Sequence, residues 1–311
     1  MSLDPQIAAL MQQLHSQPMP PWSEMTPEGL RAGYKMPPAE NPEPVAEVRE
    51  QIIPGSGGEL PLRIYRPERE GPLPVLVFFH GGGFVIGDLD SHDNLARAFC
   101  NALPAVVVAV DYRLAPEHRF PAAVEDAWTA TCWVAQHAET LGADVGKLIV
   151  GGDSAGGNLA VVIAQMARDQ QVPAIAHQML LYPVCDTNLE RDSYQRYGQG
   201  YFLETEMMRW LLGHYLGDPQ TRDTRVCPLH TPDLRQLPPA TLMTAEYDPL
   251  REEGEEYAER LRQAGVPVHG HCYPGAIHGF MSFLGTVALA DRAFADTVAA
   301  VRVALSELSP E

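Results

Sequence analysis

The stretch Gly151-Gly152-Asp153-Ser154-Ala155-Gly156-Gly157-Asn158 constrains this chain more than any other. The apolar run Lys147-Leu148-Ile149-Val150 leads into it, and Leu159-Ala160-Val161-Val162-Ile163-Ala164 leads out of it. That order predicts a buried strand passing into a helix, with Ser154 on the corner between two glycine pairs. Glycines at 152 and 156 let the backbone take a strained turn and let neighbouring chain approach closely. In such a strand-to-helix context, Gly-x-Ser-x-Gly lifts a serine hydroxyl out at the end of a sheet. Two other glycine-loop readings fail. A phosphate-cradling loop needs Lys-Ser/Thr after its last glycine, and Asn158-Leu159 follows Gly157. The dinucleotide pattern Gly-x-Gly-x-x-Gly fails because Asp153 stands where its second glycine belongs. A glycine-rich turn without chemistry remains the alternative, and the rest of the chain has to decide.

A chain of 311 residues with 45% apolar content can bury a large core without disulfides or metals. Its 40 acidic and 22 basic side chains give a formal charge of −18. Such a surface repels nucleic acid and anionic lipid, and no basic run compensates for it. The apolar runs are too short to span a membrane, and Met1-Ser2-Leu3-Asp4-Pro5 lacks the features of a secretory signal. Five scattered cysteines (100, 132, 185, 227 and 272) without a Cys-x-x-Cys pair suit reduced thiols. The expectation is a cytoplasmic protein that acts on a small molecule, with an oligomer possible.

Along the chain, Asp4-Pro5 opens a helix. Residues 48–53 and 60–66 form two strands joined by Gly55-Ser56-Gly57-Gly58, an antiparallel start. Residues 73–79 and 105–110 are apolar enough for strands buried on both faces. Helices are expected from Ser91-His92-Asp93, over 125–138 and over 284–306, with further strands at 178–182, 240–245 and 266–273. Asp248-Pro249 starts a helix through 264 whose acidic first turn suits the positive end of the helix dipole. Strands alternating with helices imply a mostly parallel sheet of about eight strands covered on both faces. Residues 186–236 interrupt this alternation with many aromatic and methionine side chains and one helix, 204–216. This insertion reads as a cap over an apolar pocket in preference to a satellite core, while the proline-rich arm at 15–45, which carries Trp22, Met25, Leu30, Tyr34 and Met36, reads equally as a peripheral arm or as part of a lid.

A serine hydroxyl needs a base, usually an imidazole held by a carboxylate. In a sheet of this kind the ligand sits beyond the carboxyl ends of the strands. Asp248 follows the penultimate strand, and His278, in Pro274-Gly275-Ala276-Ile277-His278, follows the last. They are the expected acid and base. Glu246 is the rival carboxylate, but it lies inside its strand. His269 and His271 share one strand face, which suits an outer strand better than a metal pair. His118 reads as a structural loop residue. His80-Gly81-Gly82-Gly83-Phe84 follows a central strand and offers unobstructed backbone N–H groups. With the N–H of Ala155, Gly82 and Gly83 are the expected oxyanion hole, and His80 is the expected strut of that loop.

Taken together, His80–Phe84, Asp111-Tyr112-Arg113-Leu114-Ala115-Pro116-Glu117, Gly152–Gly157, Asp248-Pro249-Leu250-Arg251 and His278-Gly279-Phe280 resemble the hormone-sensitive-lipase-like esterases of the α/β-hydrolase superfamily. The resemblance runs over nearly the whole chain and is closest to the branch with Asp before the nucleophile. It implies the α/β-hydrolase fold and a carboxylesterase for short- to medium-chain acyl esters, with Ser154, Asp248 and His278 as triad and no cofactor. It also implies a helical cap. The expected division is residues 1–45 as the N-terminal part of the cap, 186–220 as the cap insertion, and 46–185 with 221–311 as the catalytic core. Phe84 and Asp153 are the expected substrate-contacting residues. Glu252 departs from the Asp common at that position, outside the triad. An amidase or lactonase could use the same triad. A non-catalytic small-molecule receptor of the same fold would carry a damaged one.

Overall fold

The computed structural model describes residues 2–16, 20–35, 41–218 and 220–307. Met36 of the N-terminal arm therefore lies outside the described residues. The strands are β1 (Glu47–Gly55), β2 (Gly58–Arg66), β3 (Leu73–Phe79), β4 (Val106–Val110), β5 (Ala143–Asp153), β6 (His177–Leu181), β7 (Ala240–Tyr247) and β8 (Val268–Ile277). They form one sheet in the order β1-β2-β4-β3-β5-β6-β7-β8. β1 pairs antiparallel with β2, and β2 antiparallel with β4; the other pairs are parallel. This is the α/β-hydrolase fold.

The central strands are apolar throughout because each faces two cores. Val75, Val77 and Phe79 of β3 point into one apolar cluster, and Leu76 and Phe78 into the other. Helices Ala122–Gln136, Ala155–Gln170 and Arg251–Gln263 close the first face. Helices Asp93–Ala102 and Ala288–Ser306, joined by Pro5–His15, close the second. The N-terminal helix starts as its sequence directs, with Asp4 Oδ1 accepting from Gln6 N at 2.9 Å.

The segment between β6 and β7 contains helices Asp192–Tyr197 and Thr205–Tyr215; the first of these was not expected. Its two ends meet at one carboxylate. Buried Asp186 takes Arg191 at 2.8 Å, Arg222 at 3.1 Å and His230 at 3.0 Å. Trp22 of the N-terminal arm packs against Trp210 with ring centroids 5.8 Å apart, so arm and insertion are in contact.

β8 runs further than the sequence suggests. Pro274-Gly275 reads as a break, yet Gly275 (φ 78°) is absorbed at an irregularity in the β7–β8 register and the strand continues to Ile277. The consequence reaches the site. Tyr247 and Ile277 are register partners, so Asp248 and His278 leave the sheet side by side. No helix among the described residues is long and apolar enough to cross a membrane.

Candidate active site

Ser154 caps the helix Ala155–Gln170 with φ 55° and ψ −117°, a conformation that an L-residue adopts only when its surroundings enforce it. The enforcement is visible on both sides. Ser154 N donates to Leu181 O at 2.9 Å, and its carbonyl accepts from Asn158 N at 3.0 Å and Val184 N at 3.1 Å. A Cβ on Gly156 would run into the Phe79 carbonyl, and one on Gly152 would run into both that oxygen and Gly156 itself. The two glycines are thus required by close backbone approach, and the strained turn is held by β3, β6 and the helix together.

His278 Nε2 lies 2.9 Å from Ser154 Oγ, and His278 Nδ1 lies 2.8 Å from Asp248 Oδ2. A carboxylate only accepts, so Nδ1 carries the proton and Nε2 is free to accept from the serine hydroxyl. Asp248 is fully buried, and its Oδ1 accepts from Leu250 N at 2.8 Å. The rival Glu246 lies inside β7, as expected, and its Oε2 accepts from Gly275 N at 2.8 Å. Tyr182, which sequence reasoning passed over, meets the His278 ring edge-on at 5.0 Å.

The glycine loop adjoins the serine because Phe79 and Gly152 are register partners at the ends of β3 and β5. Gly82 (φ 118°) and Gly83 (φ 60°) take left-handed conformations that suit glycine. Their N–H groups, and that of Ala155, donate to no described residue. The Asp111–Glu117 segment braces this loop. Tyr112 stacks on His80 at 4.3 Å and donates to its carbonyl at 2.7 Å, while Ala115 N donates to Phe84 O at 2.8 Å. Arg113 holds buried Asp126 through paired bonds of 2.8 and 2.9 Å. His80 is the strut it was expected to be: its Nδ1 meets Gly81 O at 2.7 Å, and burial lowers its pKa to about 4, leaving it neutral.

Both residues expected to contact substrate have partners within the chain. Phe84 is buried and stacked face-on against Tyr215 at 3.9 Å, which packs the loop against the insertion. Asp153 is buried too, with Oδ1 accepting from Gly81 N at 2.9 Å and lying 3.2 Å from His92 Nε2. Burial opposes its charge, but His92, His80 and the Gly81 N–H together hold its carboxyl below the usual range. Neither partnership was legible in the sequence, where His92 appears only as part of a helix start. Arg31 was missed as well. It bonds Val85 O at 2.8 Å, Ala115 O at 2.7 Å and both Glu117 oxygens at 2.8 Å, tying the N-terminal arm to the braced loop.

The insertion approaches the same centre from two sides. A Cβ on Gly83 would meet Leu211 Cδ1 at 2.5 Å, and one on Gly279 would meet Phe202 Cε1 at 3.3 Å. His269 and His271 lie on the outer strand β8, opposite Thr241 and Met243. The His271 ring packs edge-on against Tyr273 at 4.5 Å.

The sequence model of a family described as alpha/beta hydrolase fold matches residues 76–282. Esterase LipI of Mycobacterium tuberculosis is 41% identical over 285 residues, covering 89% of this chain and 88% of that protein. This chain belongs to the hormone-sensitive-lipase-like carboxylesterases of the α/β-hydrolase superfamily. A second family relative, the ethyl acetate hydrolase of Pseudomonas putida, is 39% identical over 269 residues, 85% of this chain and 84% of that one. Among solved structures, a hyperthermophilic esterase from the archaeon Pyrobaculum calidifontis superposes with a TM-score of 0.92 at 39% identity. The match covers 99% of this chain and 100% of that one.

Proposed function

We propose that this family member is a serine carboxylesterase for short- to medium-chain acyl esters, with Ser154 as nucleophile, His278 as base and Asp248 as the acid that orients it. The observation that carries the reading is the unbroken relay Ser154 Oγ–His278 Nε2 (2.9 Å) and His278 Nδ1–Asp248 Oδ2 (2.8 Å). An intact relay also argues against a non-catalytic receptor.

In this reading Ser154 Oγ attacks the ester carbonyl as its proton passes to His278 Nε2. Asp248 keeps the imidazole in the required tautomer and stabilises the imidazolium. The tetrahedral oxyanion is received by the N–H groups of Gly82, Gly83 and Ala155. His278 then protonates the departing alcohol, and water, deprotonated by the same imidazole, releases the acid from the acyl-enzyme. Every step uses groups of the chain itself.

Residues 1–45 and 186–220 act as the cap over the catalytic core. The Trp22–Trp210 contact and the approach of Leu211 and Phe202 to Gly83 and Gly279 support that role. Crowding by these side chains favours small acyl groups, in keeping with the ethyl acetate hydrolase among the relatives. Phe84 and Asp153 serve the site by positioning its loop. A reducing, cytoplasmic setting suits the five free cysteines.

The test is kcat/KM over p-nitrophenyl esters from acetate to laurate, with fluorophosphonate labelling. A maximum at short acyl chains, a label on Ser154, and loss of both in a folded Ser154→Ala variant are expected. Turnover that survives in Ser154→Ala would overturn the assignment.

A further inference from the structure

The donors of the oxyanion hole are useful only if they hold a fixed position relative to Ser154. The two glycines among them have left-handed backbones, in a loop where Val85 N and Ile86 N donate to Gly82 O. Beyond the β3–β5 pairing that ends at Phe79 and Gly152, a carboxylate ties this loop to the nucleophile. Asp153 immediately precedes Ser154, and its Oδ1 accepts from Gly81 N at 2.9 Å. The approach is close enough that a Cβ on residue 81 would strike the Asp153 carboxylate. A carboxylate on a short side chain still rotates about its last bond, so something has to fix which way Oδ1 faces.

His92 lies where it can do this. It stands at the start of helix Asp93–Ala102, far from Asp153 in sequence, with its Nε2 3.2 Å from Asp153 Oδ1. The two side chains are about equally buried, at 7% and 8% exposure. The other ring nitrogen is anchored: His92 Nδ1 meets Ser91 Oγ at 2.9 Å. Ser91 in turn is locked to Asp88, its N–H bonding Asp88 Oδ1 at 2.7 Å and its hydroxyl bonding Asp88 O at 2.8 Å. The ring also packs against His80 and Phe78, with centroids 5.5 and 6.2 Å away. With its far nitrogen bonded and two tilted rings beside it, the His92 ring directs Nε2 at the carboxylate.

We propose that His92 is a positioning residue for ester hydrolysis: it orients Asp153, which fixes Gly81 and thereby aims the Gly82 and Gly83 N–H groups at the oxyanion formed on attack by Ser154. This rests on the esterase reading above and adds to it a residue that touches neither substrate nor triad. Its effect belongs to the transition state, because the oxyanion exists only there. Loss of His92 therefore lowers kcat and leaves KM nearly unchanged.

The experiment is a double-mutant cycle on the full chain, with His92→Phe, Asp153→Ala and the double variant, plus His92→Gln. Rates with p-nitrophenyl butyrate are referred to the concentration of serine titratable by a fluorophosphonate. His92→Phe and Asp153→Ala are each expected to lower kcat on the order of tenfold to a hundredfold, less than the roughly hundredfold or more for deleting a donor outright. The double variant is expected to match the worse single variant, because one residue acts through the other. His92→Gln, whose amide can donate from near the Nε2 position, is expected to recover most of the loss. If His92→Phe does not fold, His92→Asn, whose amide is too short to reach Oδ1, takes its place in the cycle. Additive losses, an effect confined to KM, or a Gln variant as poor as Phe would overturn the proposal. No ester hydrolysis by the unmodified enzyme would instead remove the reading beneath it, so the two failures are distinguishable.

Discussion

His278 Nδ1 lies 2.8 Å from Oδ2 of fully buried Asp248, while Glu246, two residues earlier, spends its carboxylate on Gly275 N. The difference is one of place on β7. Asp248 follows the last strand residue, Tyr247, whose register partner is Ile277, so acid and base emerge together. Asp248→Asn is expected to lower kcat by about four orders of magnitude by stabilising the wrong imidazole tautomer. Glu246→Gln is expected to change kcat less than about tenfold, since an amide oxygen still accepts from Gly275 N. Steady-state kinetics on both variants distinguishes the two carboxylates; the reverse ranking would make Glu246 the acid.

Gly83 is required twice over. Its φ of 60° disfavours a side chain, and a Cβ there would press on Leu211 of the insertion. Gly83→Ala is expected to reduce kcat on the order of a hundredfold by shifting an oxyanion donor. Adding Leu211→Ala opens the space and is expected to restore part of the rate, with the backbone strain remaining. It also costs stability of about 2–5 kcal/mol, as for other buried leucines. Kinetics and thermal melts of the single and double variants read both effects.

Arg31 couples the N-terminal arm to the end of the glycine loop at Val85 and to the bracing segment at Ala115. Its ion pair with the half-exposed Glu117 is worth little by itself, so most of its contribution comes from the bonds to Val85 O and Ala115 O. Arg31→Ala is expected to destabilise the fold by about 1–3 kcal/mol and lower kcat/KM several-fold. Glu117→Gln is expected to be milder on both counts. Denaturant melts and assays of the two variants would show equal effects only if the ion pair dominated.

Glu253 is fully buried; its Oε1 accepts from Cys185 N at 2.7 Å and Asp186 N at 3.2 Å. Burial raises its pKa to about 8, above the ordinary 4.5, so its neutral form favours the folded state. That contribution is fully present below about pH 4.5 and is lost as pH rises through about 8. Glu253→Gln is therefore expected to flatten the fall in melting temperature between about pH 4.5 and 8. His177 works in the opposite sense. Burial lowers its pKa to about 4, so its contribution is present above about 6.5 and lost as pH falls through about 4. His177→Gln is expected to soften the acid limb and leave the alkaline one unchanged, as calorimetry across pH would record.

The pieces of the proposed site were readable because each is a local pattern with a local physical cause. Glycines flank Ser154 where backbone must pass within contact distance, three glycines follow β3 in a row, and Asp248 and His278 follow apolar strands. The buried strands declared themselves by continuous apolar runs, and the antiparallel start by its Gly55–Gly58 turn. Boundaries were harder. Asp192–Tyr197 is only six residues long, too short for a periodicity to show, and Pro274-Gly275 conceals a strand that continues.

Only the tertiary structure could decide which side chains serve the site from a distance. Nothing in Ser91-His92-Asp93 signals that His92 reaches Asp153, because their proximity depends on how helix Asp93–Ala102 packs against β2 and β4. The stacking of Phe84 on Tyr215 and the bonds of Arg31 to Val85 and Ala115 likewise join segments distant in sequence. By itself the sequence determined the family and which residues to propose for the chemistry, since a nucleophile, a base and their backbone donors each need a particular residue type at a particular strand end. The tertiary structure decided the support of that chemistry, since a buried carboxylate or aromatic face takes whichever partner the packing of distant segments delivers.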